Sequence, residues 1–289
     1  MLTEYGIKIA ARTYRAYRHR TPSARELFDE QLVARMRVLR ETPDMRGRLP
    51  RERFYGRRKM RALLCREGIT VSESKVGRLM RLTGMKGIMR GGRIITTRKT
   101  RPYAGDLVKR MFTTTAPDRI WVADLTYVRT LSGWVYVAFI TDCYARRIVA
   151  AHAACQMNEK LVSETLQLAL AERARHGHPI TTGLIHHSDH GSQYTAIHYS
   201  EQLALTDITP SFGSIGDSYD NALAETINGL YKTECVTQDG PFHTLTDVLD
   251  ATLDWVYWYN TKRLHEHLGY NTPNETETRY YKQQPLENQ

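Results

Sequence analysis

Arg119-Ile-Trp-Val-Ala-Asp-Leu-Thr-Tyr-Val-Arg129 decides the fold. Trp121, Ala123, Leu125 and Tyr127 fall on alternate positions, the period of a β-strand. Asp124 lies inside this apolar run, where a carboxylate is costly unless it is paired or holds a cation. Working outward, Gly133 marks a turn and Trp134–Asp142 reads as a second apolar strand. Arg146–Ala154 reads as a third, so the three predict an antiparallel meander. A helix is predicted over Glu159–Arg175, then a strand ending at Asp189, a helix near Ile197–Leu205 and a short strand near Ile208–Ser211. Last comes a helix that holds Glu225.

Three strands followed by alternating helices and strands is the order of an α/β, RNase H-like mixed-sheet fold. In that order Asp124 sits mid-strand, Asp189 at the C-terminal end of a neighbouring strand, and Glu225 on a helix packed beside them. Carboxylates brought to one point from separate elements make a cage for hard divalent ions. Asn221, Glu225, Asn228 and Lys232 are four, three and four apart and share one helix face. Other acids have plainer readings. Asp142 stands beside Arg146 and Arg147, which predicts a structural ion pair, and Asp217 and Asp220 suit the N-terminus of the Glu225 helix. Glu234 lies about two and a half turns past Glu225 and faces away. His186 and His187, adjacent on a strand, point to opposite faces, so no zinc site is assigned. His265 and His267 lie near a helix C-terminus, which favours cations whether or not DNA is bound. The aromatic run Trp255, Tyr257, Trp258 and Tyr259 reads as core packing. Cys65, Cys143, Cys155 and Cys235 have no metal-type spacing and read as reduced core thiols.

The formal charge of +10 hides a division: residues 1–110 carry a net +19 and residues 111–289 a net −9. A basic excess sustained over that length predicts a front half that grips a polyanion. Ser23-Ala-Arg-Glu26 has the form of a capping box, opening a helix through Arg40 with Leu32 and Met36 among its apolar positions. A second helix is predicted over Tyr55–Arg66 and a third over Glu73–Thr83, capped by Ser72. The Gly-Ile-Thr-Val turn between them gives a helix-turn-helix-like pair, with Lys75, Arg78 and Arg81 placed for a DNA groove or backbone. From Lys86 to Arg101 the apolar period fades into a Gly-, Thr- and Arg-rich stretch, read as a linker whose Arg90 and Arg93 follow phosphates. The division predicted is a basic all-α DNA-binding region over 1–85, a basic linker over 86–105, a catalytic core over 106–240 and a helical extension over 241–289. The opening residues lack the pattern of a signal peptide and no stretch is long enough to span a membrane, which predicts a cytoplasmic protein at the nucleoid.

Motifs in order along nearly the whole chain carry a family resemblance. They include Tyr55-Gly-Arg-Arg, Trp121-Val-Ala-Asp-Leu-Thr-Tyr, His187-Ser-Asp-His-Gly-Ser-Gln-Tyr and Ser218-Tyr-Asp-Asn-Ala-Leu-Ala-Glu-Thr-Ile-Asn. Tyr231-Lys-Thr-Glu, Trp258-Tyr-Asn-Thr-Lys-Arg-Leu-His and Leu268-Gly-Tyr-Asn-Thr-Pro complete them. The chain resembles the second-frame product of the insertion-sequence-three group of bacterial transposases, within the retroviral-integrase superfamily. The 35 residues between Asp189 and Glu225, and a Lys seven beyond the Glu, match that family's pattern. His190 departs from it, standing where these proteins commonly carry Arg.

The resemblance implies that Asp124, Asp189 and Glu225 are the catalytic acids and ligands of two Mg²⁺ ions, with Mn²⁺ as a substitute. Asp124 would bridge the ions, and one site would perform both hydrolytic nicking and strand transfer. Lys232 would contact the DNA end. The implied partners are double-stranded DNA, as terminal inverted repeats and as target, and further copies of the chain assembled on it. An upstream-frame protein, separate or fused, would add a further DNA-binding module, and no membrane is involved. Two other readings are a structure-specific nuclease of the same fold and a non-catalytic DNA-binding relic that represses transposition.

Overall fold

The computed structural model describes residues 10–89, 107–108, 113–189, 194, 197–213 and 221–283. The chain forms two compact units, Met1–Gly87 and Ile88–Gln289. Arg90, Arg93, His190, Asp217, Asp220 and most of the predicted linker lie outside the described residues.

The first unit is helical: α1 (Ala11–Arg18), α2 (Ala24–Glu41), a 3₁₀ turn at Arg51–Phe54, α3 (Arg57–Arg66) and α4 (Glu73–Leu82). The predicted Ser23–Glu26 capping box opens α2, and the Ser72 hydroxyl accepts from the Lys75 amide to open α4. Leu32, Met36, Met60, Leu64, Val76, Leu79 and Met80 make the core, joined by Tyr55 and Phe54. Arg40, which the apolar period would place outside, is buried and donates to the carbonyls of Tyr55 and Lys86. It thereby ties the end of α2 to the chain following α4. Gly87 allows that closure, since a Cβ there would lie 2.7 Å from the Gly56 backbone.

The second unit is built on a five-stranded mixed sheet of order β3-β2-β1-β4-β5. The strands are β1 (Ile120–Thr130), β2 (Gly133–Asp142), β3 (Ile148–Ala154), β4 (Ile185–Ser188) and β5 (Thr209–Phe212). β1, β2 and β3 form the predicted antiparallel meander, while β4 and β5 add in parallel beside β1. This is the RNase H-like arrangement. Helices α5 (Glu159–Arg175) and α6 (Ile197–Leu205) accompany one face, where Trp121, Ala123 and Ile140 pack with Leu166, Tyr199 and Leu203. On the other face Val122 packs with Leu223 and Ala224 of α7 (Ala222–Tyr231).

A π-turn (Lys232–Val236) and a single helical turn, α8 (Thr237–Asp239), lead to α9 (Leu245–Thr261). There the buried Trp255 meets Phe139 and Tyr231 edge-on. The aromatic run is thus core, as expected, except that Tyr257 is 62% exposed. Buried Glu234 pairs with Arg263 at 2.7 Å, facing away from the acids as predicted. Buried His265 lies against Tyr259 and receives a 3.4 Å contact from Arg263, which makes it part of the packing. Helix α10 (Pro273–Gln283) is clamped to the sheet by Arg147 and Arg173 through Glu277.

Two expectations need correction. Asp142 does not pair with Arg146 or Arg147. Its two oxygens accept from the amides of Asp118 (2.8 Å) and Ala145 (2.9 Å), while Arg147 binds Glu172 and Glu277. One amide comes from the turn after β2 and the other from the chain entering β1, so both carboxylate oxygens are already taken by backbone donors. Burial pushes the Asp142 carboxyl up to about 7 against the pull of those two amides. Asp142→Asn keeps one acceptor and turns an NH₂ toward the second amide. The expected loss is about 1–3 kcal/mol in urea unfolding. An unchanged midpoint would show that the two amide contacts carry no stability. The cysteines also differ: Cys143 and Cys235 are buried, but Cys65 and Cys155 are exposed thiols.

Candidate active site

The site grows from the way β1 outruns its parallel neighbour. β4 pairs with β1 only as far as Ala123↔Ser188, so the following residue on each strand is Asp124 and Asp189. Beyond that point the open edge of β1 would leave backbone carbonyls without partners. Helix α7 covers it. Asn221 donates to the Ala123 carbonyl at 2.9 Å, and Asn228, two turns further along, donates to the Leu125 carbonyl at 3.2 Å. The same Asn228 amide donates to Asp124 Oδ2 at 2.8 Å, while Asp124 Oδ1 accepts from the Leu125 amide at 2.8 Å. The helix that seals the sheet edge therefore also fixes the Asp124 rotamer, and it carries Glu225 one turn before Asn228.

The electrostatics place the acids together. The Asp124 carboxyl is pushed up to about 7, first by burial and next by the negative charge of Asp189. The Leu125 amide opposes that rise, the charge of Glu225 adds to it, and the Asn228 amide opposes it again. Asp189 is exposed and Glu225 partly buried, so the cluster opens toward solvent on the side of Asp189. Among the described residues no three His, Cys, Asp or Glu side chains are drawn close enough to enclose a single ion. The acids stand as an open cluster rather than a closed cage. Buried Tyr194 feels both aspartates, whose charges add to burial in raising its phenol. Its hydroxyl has no hydrogen-bond partner among the described residues.

The charges of Asp189 and Glu225 thus both reach Asp124, without the closed cage that the sequence suggested. The part played by Asn228 exceeds its place on a shared face, and a signal for it existed, one turn from Glu225. Tyr194 closes the motif His187-Ser-Asp-His-Gly-Ser-Gln-Tyr, a signal that gave it no role, because spacing alone does not mark a tyrosine five residues past Asp189 as its neighbour. Lys232 begins the π-turn, its ammonium 4.4 Å from the centre of the Tyr127 ring. In the first unit Lys75 and Arg78 both pair with Asp29, so a phosphate would have to compete for them, whereas Arg81 is exposed.

Known families match both parts of the chain. Residues 28–93 match the model of an HTH-like domain, and residues 114–218 and 206–273 match two models of the integrase core domain. The putative transposase for insertion sequence element IS986/IS6110 of Mycobacterium tuberculosis is 44% identical over 95% of this chain and 97% of that protein. The transposase for insertion sequence element IS629 of Shigella sonnei is 44% identical over 79% of this chain and 75% of that one. Among solved structures, the HTLV-2 integrase catalytic core domain in complex with magnesium is 15% identical, with a TM-score of 0.40, over 56% of this chain and 98% of that chain. The chain belongs to the insertion-sequence-three group of transposases, proteins with an integrase core behind an HTH-like domain.

Proposed function

We propose that this chain cuts the ends of an insertion sequence and joins them to DNA, with Asp124, Asp189 and Glu225 as its catalytic carboxylates. The observation that carries the reading is the meeting of Asp124, in the sheet, with the charges of Asp189 and Glu225 at the open edge of β1. A partly buried carboxyl whose strongest charged neighbours are negative is poorly placed for a structural role and well placed for divalent cations. The donors are oxygens alone, which suits Mg²⁺ or Mn²⁺. Asp124 with Asp189 would hold one ion and Asp124 with Glu225 a second, an arrangement that asks for only two carboxylates per ion. When bound, such ions supply charge for the reacting phosphate and lower the pKa of an attacking hydroxyl.

The chain's own residues define the rest. Asn228 and the Leu125 amide hold the two oxygens of Asp124, so its orientation is set before DNA arrives. Asp189, exposed, forms the side by which a phosphate enters. The basic helical region 1–85, with Lys75, Arg78 and Arg81, and the basic linker 86–105, with Arg90 and Arg93, would grip the duplex. The core 106–240, with Lys232 at the DNA end and the extension 241–289 behind it, would carry the chemistry. Copies of the chain assemble on the paired ends, with or without an upstream-frame partner. No helix among the described residues is long and apolar enough to cross a membrane.

The test is an incubation with Mg²⁺ or Mn²⁺ and duplexes carrying the ends of the encoding element. Joined strands are expected. Cut ends without joining would favour a nuclease, and bound but unaltered DNA a non-catalytic binder. In the same assay Asn228→Ala is expected to lower the rate about 10–100-fold, as loss of a residue that orients a ligand does, with DNA affinity unchanged. A wild-type rate would remove Asn228 from the site.

A further inference from the structure

Beyond Asp124, toward the end of β1, that strand and β2 bring two aromatic rings to the surface. Tyr127 is 55% and Trp134 45% exposed, with ring centres 5.4 Å apart in an edge-to-face arrangement. Each ring carries a cation. Lys232 stands 4.4 Å from the centre of Tyr127, and the Arg129 guanidinium 5.1 Å from that of Trp134. The chain has four tryptophans, and the other three, Trp121, Trp255 and Trp258, are at most 6% exposed. A cross-strand ring pair does stabilise a hairpin modestly. That leaves unexplained why cations from two separate segments come to these rings, in a part of the chain with an acidic balance.

We propose that Tyr127 and Trp134 form a stacking platform for an unpaired base of the DNA strand engaged at the carboxylates. Lys232 and Arg129, which lie over the rings in the free protein, swing out to the phosphates on either side and open the ring faces to the base. The inference rests on the reading of Asp124, Asp189 and Glu225 as the reaction centre. Tyr127 is three positions beyond Asp124, about 10 Å along the strand and on its opposite face, and Lys232, two turns past Glu225, reaches its ring past the end of α7, so a strand leaving the carboxylates would cross the rings after rounding the free edge of β1. The base must be unpaired, because only then is its flat face free to lie on a ring. Cations above the rings add attraction for a polyanion and match its charge. A strand parted from its complement at the cutting site would be held there, which would favour ends that open readily.

The full chain can be titrated in EDTA, so that nothing is cut, with an oligothymidylate of about twelve nucleotides and with an abasic oligomer of equal length. Acrylamide quenching reads Trp134, the one accessible tryptophan. Oligothymidylate is expected to shield it and the abasic oligomer to leave it open. Tyr127→Ala and Trp134→Ala should each weaken oligothymidylate binding about tenfold without altering abasic binding, and Trp134→Phe should bind nearly as wild type. Both alanine variants should unfold within about 4 °C of wild type, the modest contribution of the ring pair being lost in each. Equal affinity for the two oligomers would overturn the platform, as would no binding of oligothymidylate or no effect of Trp134→Ala. So would a dimer that Trp134→Ala dissociates, which would make the rings a subunit contact. If Asp124→Asn still joined DNA, the reaction centre would be wrong while the stacking result stood by itself.

Discussion

Asp124→Asn is expected to lower both cutting and joining of DNA ends by roughly 10⁴-fold while leaving DNA binding unchanged. The substitution keeps the shape of the side chain and removes the charge to which the other two acids are arranged. It should also change the pH dependence of stability in a defined direction. The Asp124 carboxyl is raised to about 7 from 3.8, so the stability its neutral form contributes is present below about pH 4 and lost as the pH rises through 7. Asparagine stays neutral throughout. In EDTA the unfolding temperature of the variant relative to wild type is therefore expected to improve between pH 5 and pH 8. A constant difference would mean that neither burial nor the acidic neighbours raise the Asp124 carboxyl.

The largest loss of stability is expected from Arg173→Met. Arg173 is 1% exposed and donates to Asp118, Glu277 and the Tyr281 hydroxyl, tying α5 to the start of β1 and to α10. Burial would lower its pKa, but the charges of Glu277 and Asp118 more than compensate and raise it. Methionine fills much of the volume but leaves Asp118 without its cation and Glu277 with Arg147 alone. Breaking a buried pair from one side costs about 3–5 kcal/mol, equivalent to roughly 10 °C in a unit of this size. Since α10 is fastened through Glu277, protease cleavage after Thr272 should accelerate in parallel. A shift of only a degree or two would show that packing alone holds α10.

The strands, α5 and α7 were legible in the sequence because their apolar periods are strong. Helix α5 spans Glu159–Arg175 as predicted, and the three acids fall on the elements expected of them. What stayed hidden depended on contacts between distant segments. Nothing local shows that Asn221 and Asn228 would close the edge of β1, because the need arises only from β4 ending at Ser188. Asp142 misled because arginines close in sequence suggest a pair, whereas the turn offers amides first. Lys75 and Arg78 look free in the sequence. Their partner Asp29 lies a helix and more away. Tyr127 was placed by alternation among inward residues, yet it lies outside, near the end of β1.

The central claim, that these acids hold the ions for DNA joining, is tested most directly at Asp189, whose exposed position tolerates a change of ligand. Asp189→Cys replaces a hard oxygen by a soft sulfur, which Mg²⁺ binds poorly and Mn²⁺ more readily. The joining assay, run with each metal in turn, is expected to give no product from the variant in Mg²⁺ and to recover product in Mn²⁺. Wild-type joining by the variant in Mg²⁺ would contradict the claim, because a metal ligand cannot be exchanged in this way without consequence.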